Sequence, residues 1–474
     1  MFRFSDLWRW DGTIGRGPYA LIGLLAFALK HNLDRFVAGA FFQRNWGVFN
    51  YWVPLSAVVR ITSLSPADRF FLGTMLLISL PFVWIGVSLT LKRLRAAGLP
   101  GWMVALFFLP FLNLAFFVLL CVLPSRGGEA SELPPRGRAG ALLDRLLPDH
   151  PWGSAAVAIL ITSLFGAAAT EFSARLLTEY GWGLFTALPF CLGLSAVLLH
   201  GYHRSRSLAN CLFVATLAPV LVGGLLLSFA VEGVICLVMA LPIGLPLSLL
   251  GGVVGYYIQQ RHWNRLDAPA TLGMLLLLVP SMMGIEAALP QTPPLYAVRT
   301  ALEINAPPER VWQQVIAFSE ITEPPEWIFR AGIAWPMRAE LHGNGPGAVR
   351  YCIFSTGAFV EPIEIWDEPR LLKFSVASNP RPMQELTPYG EINAAHLDGF
   401  LVSRAGQFRL ERLADGRTRL EGTTWYQHGL WPTSYWRVWS DFLIHRIHLR
   451  VLRHIQRQAE QSTESPRSSK GRQQ

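Results

Sequence analysis

The sequence predicts a polytopic α-helical membrane protein that ends in one soluble α+β domain. Two observations carry this. Of its 474 residues, 51% are hydrophobic and only 15% are charged, against roughly 25% charged in an ordinary soluble domain. The deficit is local. Apolar runs of spanning length crowd into the first 290 residues, and the chain beyond them alternates polar and apolar residues like a globular protein.

A span needs about 20 mostly apolar residues. Phe70–Leu91, Gly101–Leu123, Gly153–Phe172, Gly181–Leu199, Leu208–Val231, Val234–Ile258 and Thr271–Leu289 meet this. Tyr19–Phe42 is weaker, because it holds Lys30, His31, Asp34 and Arg35. Lys30 and Asp34 are four apart and can pair on one helix face; the simplest reading is a helix end emerging into the headgroups. Basic residues recur at Arg3, Arg9 and Arg16, at Lys92, Arg93 and Arg95, at Arg126–Arg145, at Arg204 and Arg206, and at Arg261 and Arg265. All can be cytoplasmic if Gly101–Leu123, broken by Pro110 and Asn113, enters and leaves on one side. The soluble domain is then extracytoplasmic, on a chain of the inner membrane. A net charge of +9 therefore reads as cytoplasmic loops and membrane lipids as partners, not nucleic acid.

The organisation is a membrane module at 1–128, a linker at 129–151, a second membrane module at 152–290, a soluble domain at 297–460 and a disordered tail at 461–474. The second module carries about five spans. Its apolar stretches hold Glu171, Glu232 and Glu286, all near predicted span ends. Four of the five cysteines sit in apolar runs, where Cys acts as a small hydrophobe. No metal-ligand spacing and no cofactor motif occurs, so neither a metal nor a cofactor is expected. Oligomeric state is not legible.

Gly15-Arg16-Gly17-Pro18-Tyr19 before the first apolar run, with Arg93-Leu94-Arg95-Ala96-Ala97-Gly98-Leu99-Pro100-Gly101-Trp102 between two spans, resembles the bacterial inner-membrane family called "domain of unknown function 805". The resemblance covers roughly residues 1–128 and implies a membrane module without an assigned activity. The family's usual His-Asp in the second motif is Arg95-Ala96 here, and its second Trp is Met103.

In the soluble domain, Val298–Asn305 alternates as a strand, and Pro307–Trp312 opens a helix with proline in its first turn. Strands follow at Ala348–Ser355, Phe359–Asp367, Leu371–Ser378, Leu401–Leu413 and Thr418–His428. Ser434–Gln458 closes the domain as a long helix. Its Ile444, Ile447, Val451 and Ile455 form an apolar face, Arg446, Arg450, Arg453 and Arg457 a basic stripe read as solvated or lipid-facing, and Asp441, His445 and His448 a polar face read as solvated or hydrogen-bonded, with a metal site as the alternative. This order, and the run Leu302–Trp312 ending in Ala306-Pro307-Pro308-Glu309-Arg310-Val311-Trp312, resembles the START-like (SRPBCC, polyketide cyclase/dehydrase-like) superfamily. The resemblance implies a helix-grip fold, a curved sheet around the last helix with an apolar cavity between them.

Candidate cavity-lining residues are Trp327, Tyr351, Phe354, Phe359, Trp366, Phe374, Phe408 and Trp425; the alternative for each is plain core. Asn379–Gly399 and Glu323–Pro336 are long enough to act as lids. The expected function is a membrane-tethered module holding a lipid or other apolar small molecule, for sensing or transfer. One alternative is a cyclase- or dehydrase-type cavity enzyme, with Glu361, Glu364, Glu421, His396 and His428 as acid/base candidates. The other is a transporter with an accessory soluble domain.

Overall fold

The computed structural model describes residues 7–47, 51, 66–109, 112–123, 125, 138–261, 268–289, 292–389, 392 and 394–461. The tail after Gln461 and residues 126–137 of the linker region lie outside them. The chain divides into two units, Met1–Ser228 with Ala240–Leu289, and Phe229–Met239 with Pro290–Gln474.

Helix α1 (Arg16–Phe42) and helix α2 (Pro66–Ala97) open the first unit. The run predicted as one span over Gly101–Leu123 is not one helix. It forms a 3₁₀ helix, Gly101–Phe108, and a separate α3, Leu112–Val122. At about 2.0 and 1.5 Å rise per residue each piece is near 16 Å long, half of a hydrocarbon core. Its start follows directly on α2. Its end returns there as well, because Arg93 near the end of α2 donates from Nε to the Leu120 carbonyl (2.8 Å), from Nη2 to the Leu123 carbonyl and from Nη1 to Ser125 Oγ (2.9 Å). The guanidinium thus meets the orphan carbonyls of a helix C-terminus, where a cation is favoured. The broken run packs into the unit: a Cβ on Gly86 of α2 would lie 2.6 Å from the Phe107 ring, so that ring would have to shift for any larger residue. Irregular backbone at membrane depth needs such shielding.

The remaining helices are α4 (Arg138–Leu146), α5 (Pro151–Glu171, continued by a π-helical turn Phe172–Leu177), α6 (Leu188–His200, preceded by a π-helical turn Gly183–Ala187), α7 (Leu208–Ser228), α8 (Val234–Arg261) and α9 (Ala268–Ala288). Among the described residues, six helices are long and apolar enough to cross a membrane, so the protein is a multi-pass membrane protein. Charged side chains of the first unit are held there, including a pair in α1, which is not one of the six. Lys30 pairs with Asp34, which also accepts from Tyr51 Oη at 2.7 Å and is 0% exposed. That pair is therefore an interior contact of the first unit, not a frayed helix end. Glu286 accepts from the Gly183 N–H (3.1 Å) at the start of the π-helical turn before α6.

The second unit is a curled antiparallel sheet with a C-terminal helix. Its strands are β1 (Tyr296–Ile304), β2 (Pro336–His342), β3 (Val349–Phe354), β4 (Gly357–Asp367), β5 (Leu371–Ser375), β6 (Leu401–Arg412) and β7 (Thr418–His428). They pair in the order β1-β7-β6-β5-β4-β3-β2. Helix α10 (Pro308–Ile316) and the single turn α11 (Trp327–Arg330) follow β1, and α12 (Thr433–Gln461) closes the fold. The sequence reading omits strand β2, although Met337, Ala339 and Leu341 alternate with Arg338, Glu340 and His342 across it; proline and charge are what an edge strand carries. Helix α12 packs chiefly on β1 and β7 at one edge of the sheet and on β2 at the other. Its Ile444, Val451 and Ile455 are buried, joined by Leu452 and Ala459.

The two expected lids are not free. Ile328, Phe329, Ile333, Met383, Ala394, Leu397 and Leu443 form a second small core, and the Ala334 and Gln384 N–H groups donate to the Pro382 and Gly332 carbonyls. The basic stripe of α12 is not a solvated face either. Arg450 donates to the Glu323 carbonyl (2.8 Å), Arg457 pairs with Glu323 (2.6 Å) and Arg446 with Glu326; only Arg453 is exposed. The second unit also contains Phe229–Met239, which the sequence reading assigns to a membrane module. Its Val234 N–H donates to the Leu386 carbonyl at 3.0 Å.

Single cysteines placed at Gly101 and at Ser125, both exposed, in a cysteine-free background should react with an impermeant thiol reagent from the same side of the membrane. Reaction from opposite sides would mean that the broken run crosses.

Candidate functional site

The gap between α12 and the middle of the sheet is a cavity of about 110 Å³. Four predicted residues, Phe354, Phe359, Phe374 and Phe408, line it together, with Ile444, Ile447, Val451 and Leu452 of α12 opposite. Strand alternation explains which aromatics arrive. On β3, Arg350, Cys352 and Phe354 point inward and Tyr351 outward, where its ring sits 5.0 Å from that of His342. Trp366 packs edge-on against Trp312, Trp425 is half-buried on β7, and Trp327 is 68% exposed. None of these four lines the cavity.

A buried ion pair, Arg350–Glu361, lies in this apolar lining. The two residues are opposite each other in the β3–β4 register and are 2% and 6% exposed. Arg350 also sits under three rings, with its guanidinium carbon 5.6, 5.6 and 5.5 Å from the centroids of Phe318, Phe374 and Phe408, a favourable cation–π arrangement. Burial pushes the Glu361 carboxyl above its usual range, and Arg350 pulls against that. Two polar atoms of the lining are left over. Arg350 Nε has no oxygen or nitrogen acceptor among the described residues, and Thr423 Oγ1 has no partner among them. A buried polar group without a partner costs about 1–3 kcal/mol, so both favour an occupant that bonds to them.

His448 also lines the cavity. Burial, with His445 beside it, pushes its pKa down to about 4, so it is neutral at pH 7. Its ring bonds Thr424 Oγ1 (2.8 Å) and Thr300 Oγ1 (3.1 Å), and His445 shares the latter (2.8 Å). Asp441 accepts from Tyr426 and Arg437. The polar face of α12 is thus a hydrogen-bonded cluster. Of the acid/base candidates only Glu361 reaches the cavity. Glu364 pairs with Lys373 (3.4 Å), Glu421 is half-buried on β7, His428 stacks on Tyr296, and His396 lies against Glu232 and Glu385. A larger space of about 400 Å³ occurs in the first unit, among Phe27, Phe82, Phe107 and Phe117 with Lys30 and Asn113. Apolar grooves between membrane helices are met by lipid tails, so that lining needs no specific ligand.

Removing one member of a buried pair strands the other's charge, at a cost of about 3–5 kcal/mol. Arg350→Met and Glu361→Leu should each lower the thermal unfolding midpoint of the purified chain, and the two together should recover most of the loss. Additive losses would mean that the pair is not coupled.

In comparisons with known proteins, no curated protein matches the chain. Norcoclaurine synthase from Thalictrum flavum is 11% identical, at 37% of this chain and 99% of that one, with a TM-score of 0.25. A protein from Nitrosospira multiformis is 15% identical over 36% and 99% (TM-score 0.22). The protein XoxI from Bacillus cereus is 15% identical over 35% and 97% (TM-score 0.24). Residues 7–131 match the family described as "Protein of unknown function (DUF805)".

Proposed function

We propose that the chain is a membrane-tethered binding protein whose soluble domain holds a small apolar molecule bearing one hydrogen-bond-accepting end. The observation that carries this is the lining itself: four phenylalanines and an aliphatic helix face around two unmet polar atoms beside a buried ion pair. Pockets of this make-up use apolar walls for affinity and a few polar groups for orientation. The size narrows the ligand. An engineered cavity of about 150 Å³ takes benzene, so about 110 Å³ suits a single ring or a short acyl segment. A whole membrane lipid would need the sheet and α12 to part. Binding is favoured over catalysis because both titratable groups beside the void are already engaged, Glu361 by Arg350 and His448 by Thr424 and Thr300.

We place the soluble domain outside the cytoplasm of a bacterial inner-membrane protein. The argument is parity. Helices α8 and α9 cross once each, so the chain after Leu289 is on the side from which α8 starts. The opposite side carries Arg204 and Arg206 between α6 and α7 and Arg261 at the end of α8, and short basic loops face the cytoplasm. The return of Gly101–Leu123 to the end of α2 puts Lys92, Arg93 and Arg95 on that same side.

Mass spectrometry of the full chain in lipid nanodiscs should find one apolar small molecule that is absent from the cavity-filling variant Ala405→Phe. Identical small-molecule content in the two, with both folded, would sink the binding reading. A reporter enzyme active only outside the cytoplasm should be active when fused after Gln461. A silent reporter, with a cytoplasmic one active at the same position, would reverse the topology.

A further inference from the structure

Away from the cavity, three different metal-ligating side chains converge in the second unit. Glu232 and Cys236 lie four residues apart, at the start of α8 in the segment Phe229–Met239, and His396 lies in the short turn Ala395–Leu397. All three are buried, and one ligand atom from each falls within 4.8 Å of the others. His396 Nδ1 is 3.1 Å from Glu232 Oε2. The other ring nitrogen, Nε2, faces Glu385 Oε1 at 3.5 Å. Glu385 is itself fixed, accepting from the Ile235 and Cys236 N–H groups at 3.1 Å each. The close fit needs a residue without a side chain at 233: a Cβ on Gly233 would lie 2.1 Å from the Glu385 carboxylate.

We propose that Glu232, Cys236 and His396 form a binding site for a divalent transition metal of the zinc class, with Glu385 orienting the histidine. Tetrahedral bonds of about 2.0–2.3 Å put ligand atoms roughly 3.3–3.8 Å apart, so the three donors need only a small closure. The thiol selects the metal class: sulfur with imidazole favours zinc-like ions over magnesium or calcium, which take oxygen. The charges also fit a buried site. A thiolate, the Glu232 carboxylate and a neutral imidazole around a divalent cation sum to zero, and the remaining negative charge, on Glu385, is met by the Ile235 and Cys236 N–H groups and the His396 ring, as a buried charge requires. Glu385 has the place of the outer carboxylate that metal-bound histidines commonly use to fix ring orientation. Three protein ligands leave the fourth position to water or an exogenous donor.

The test uses the purified full chain in detergent. Elemental analysis after zinc loading and desalting should give one zinc per chain. After chelation, cobalt(II) should restore occupancy with a thiolate-to-cobalt charge-transfer band in the near ultraviolet. Cys236→Ser should lose that band, and Glu385→Gln should keep the stoichiometry but weaken affinity about 10–100-fold. Folding is followed by gel filtration and by the thermal midpoint, which zinc should raise in the wild type and not in Cys236→Ser. A folded wild-type chain that takes up neither zinc nor cobalt overturns the site and leaves a histidine between two carboxylates as an ion triad only. Full retention of the cobalt band in Cys236→Ser overturns it as well. The wild-type measurement decides the matter even where a variant fails to fold.

Discussion

Helix α12 meets the sheet at its two edges and stands off from its middle, and the character of the soluble domain depends on that gap. Seven antiparallel strands in the order β1-β7-β6-β5-β4-β3-β2 curl until both edges touch one helix. The middle strands then cannot reach it with backbone, only with side chains. Phenylalanines from β3 to β6 fill most of the distance and leave a small void. A void that also contains Arg350 and Glu361 is an unusual thing for a core to retain. Buried ion pairs are weak contributors to stability, so their presence there is better explained by what the cavity contacts than by what holds the sheet together.

The membrane unit follows a different constraint, the need to satisfy backbone polar groups without water. Arg93 answers it locally by taking the end carbonyls of α3 onto its guanidinium. The same contact ties the exit of the broken run to its entrance. Glu286 does the reverse job, offering a carboxylate to the N–H of Gly183. Charged residues in these helices thus work as caps for one another's backbone ends, so their rarity in the sequence is not a measure of their structural weight.

Much of the fold was legible. Strands β1 and β3 to β7 and the last helix announce themselves through alternation at period two and then an apolar face at helical spacing, and the break in Gly101–Leu123 is visible in Pro110 and Asn113. Strand β2 carries the same alternation, in Met337, Ala339 and Leu341, but its opening proline and the charges between make it read as the end of a loop. Half of the aromatic candidates line the cavity and half do not, since Tyr351 and Phe354 look alike as residue types and only the direction of curl, fixed by long-range pairing, separates them. Arg350 could have been found. It is 11 residues before Glu361, and pairing the two strands about the tight turn at Ser355-Thr356 puts them face to face. The Glu232, Cys236 and His396 cluster had no such signal: Cys236 sits in what reads as a membrane span, Glu232 in the short gap before it, and His396 in a loop more than a hundred residues later.

The second unit is not continuous in sequence. Its segment Phe229–Met239 is made long before β1 to β7 and α12 exist, and during synthesis it waits with Ile235 and the Glu385-binding N–H groups of Ile235 and Cys236 uncovered. The domain therefore cannot mature as a free C-terminal piece trailing behind its anchor. Its final assembly is a closing of early chain onto late chain, with membrane insertion of the intervening helices in between. A fragment starting at Pro290 would carry an open apolar patch at Ile333 and Met383 and a buried carboxylate with its donors missing, which makes such a truncation prone to self-association.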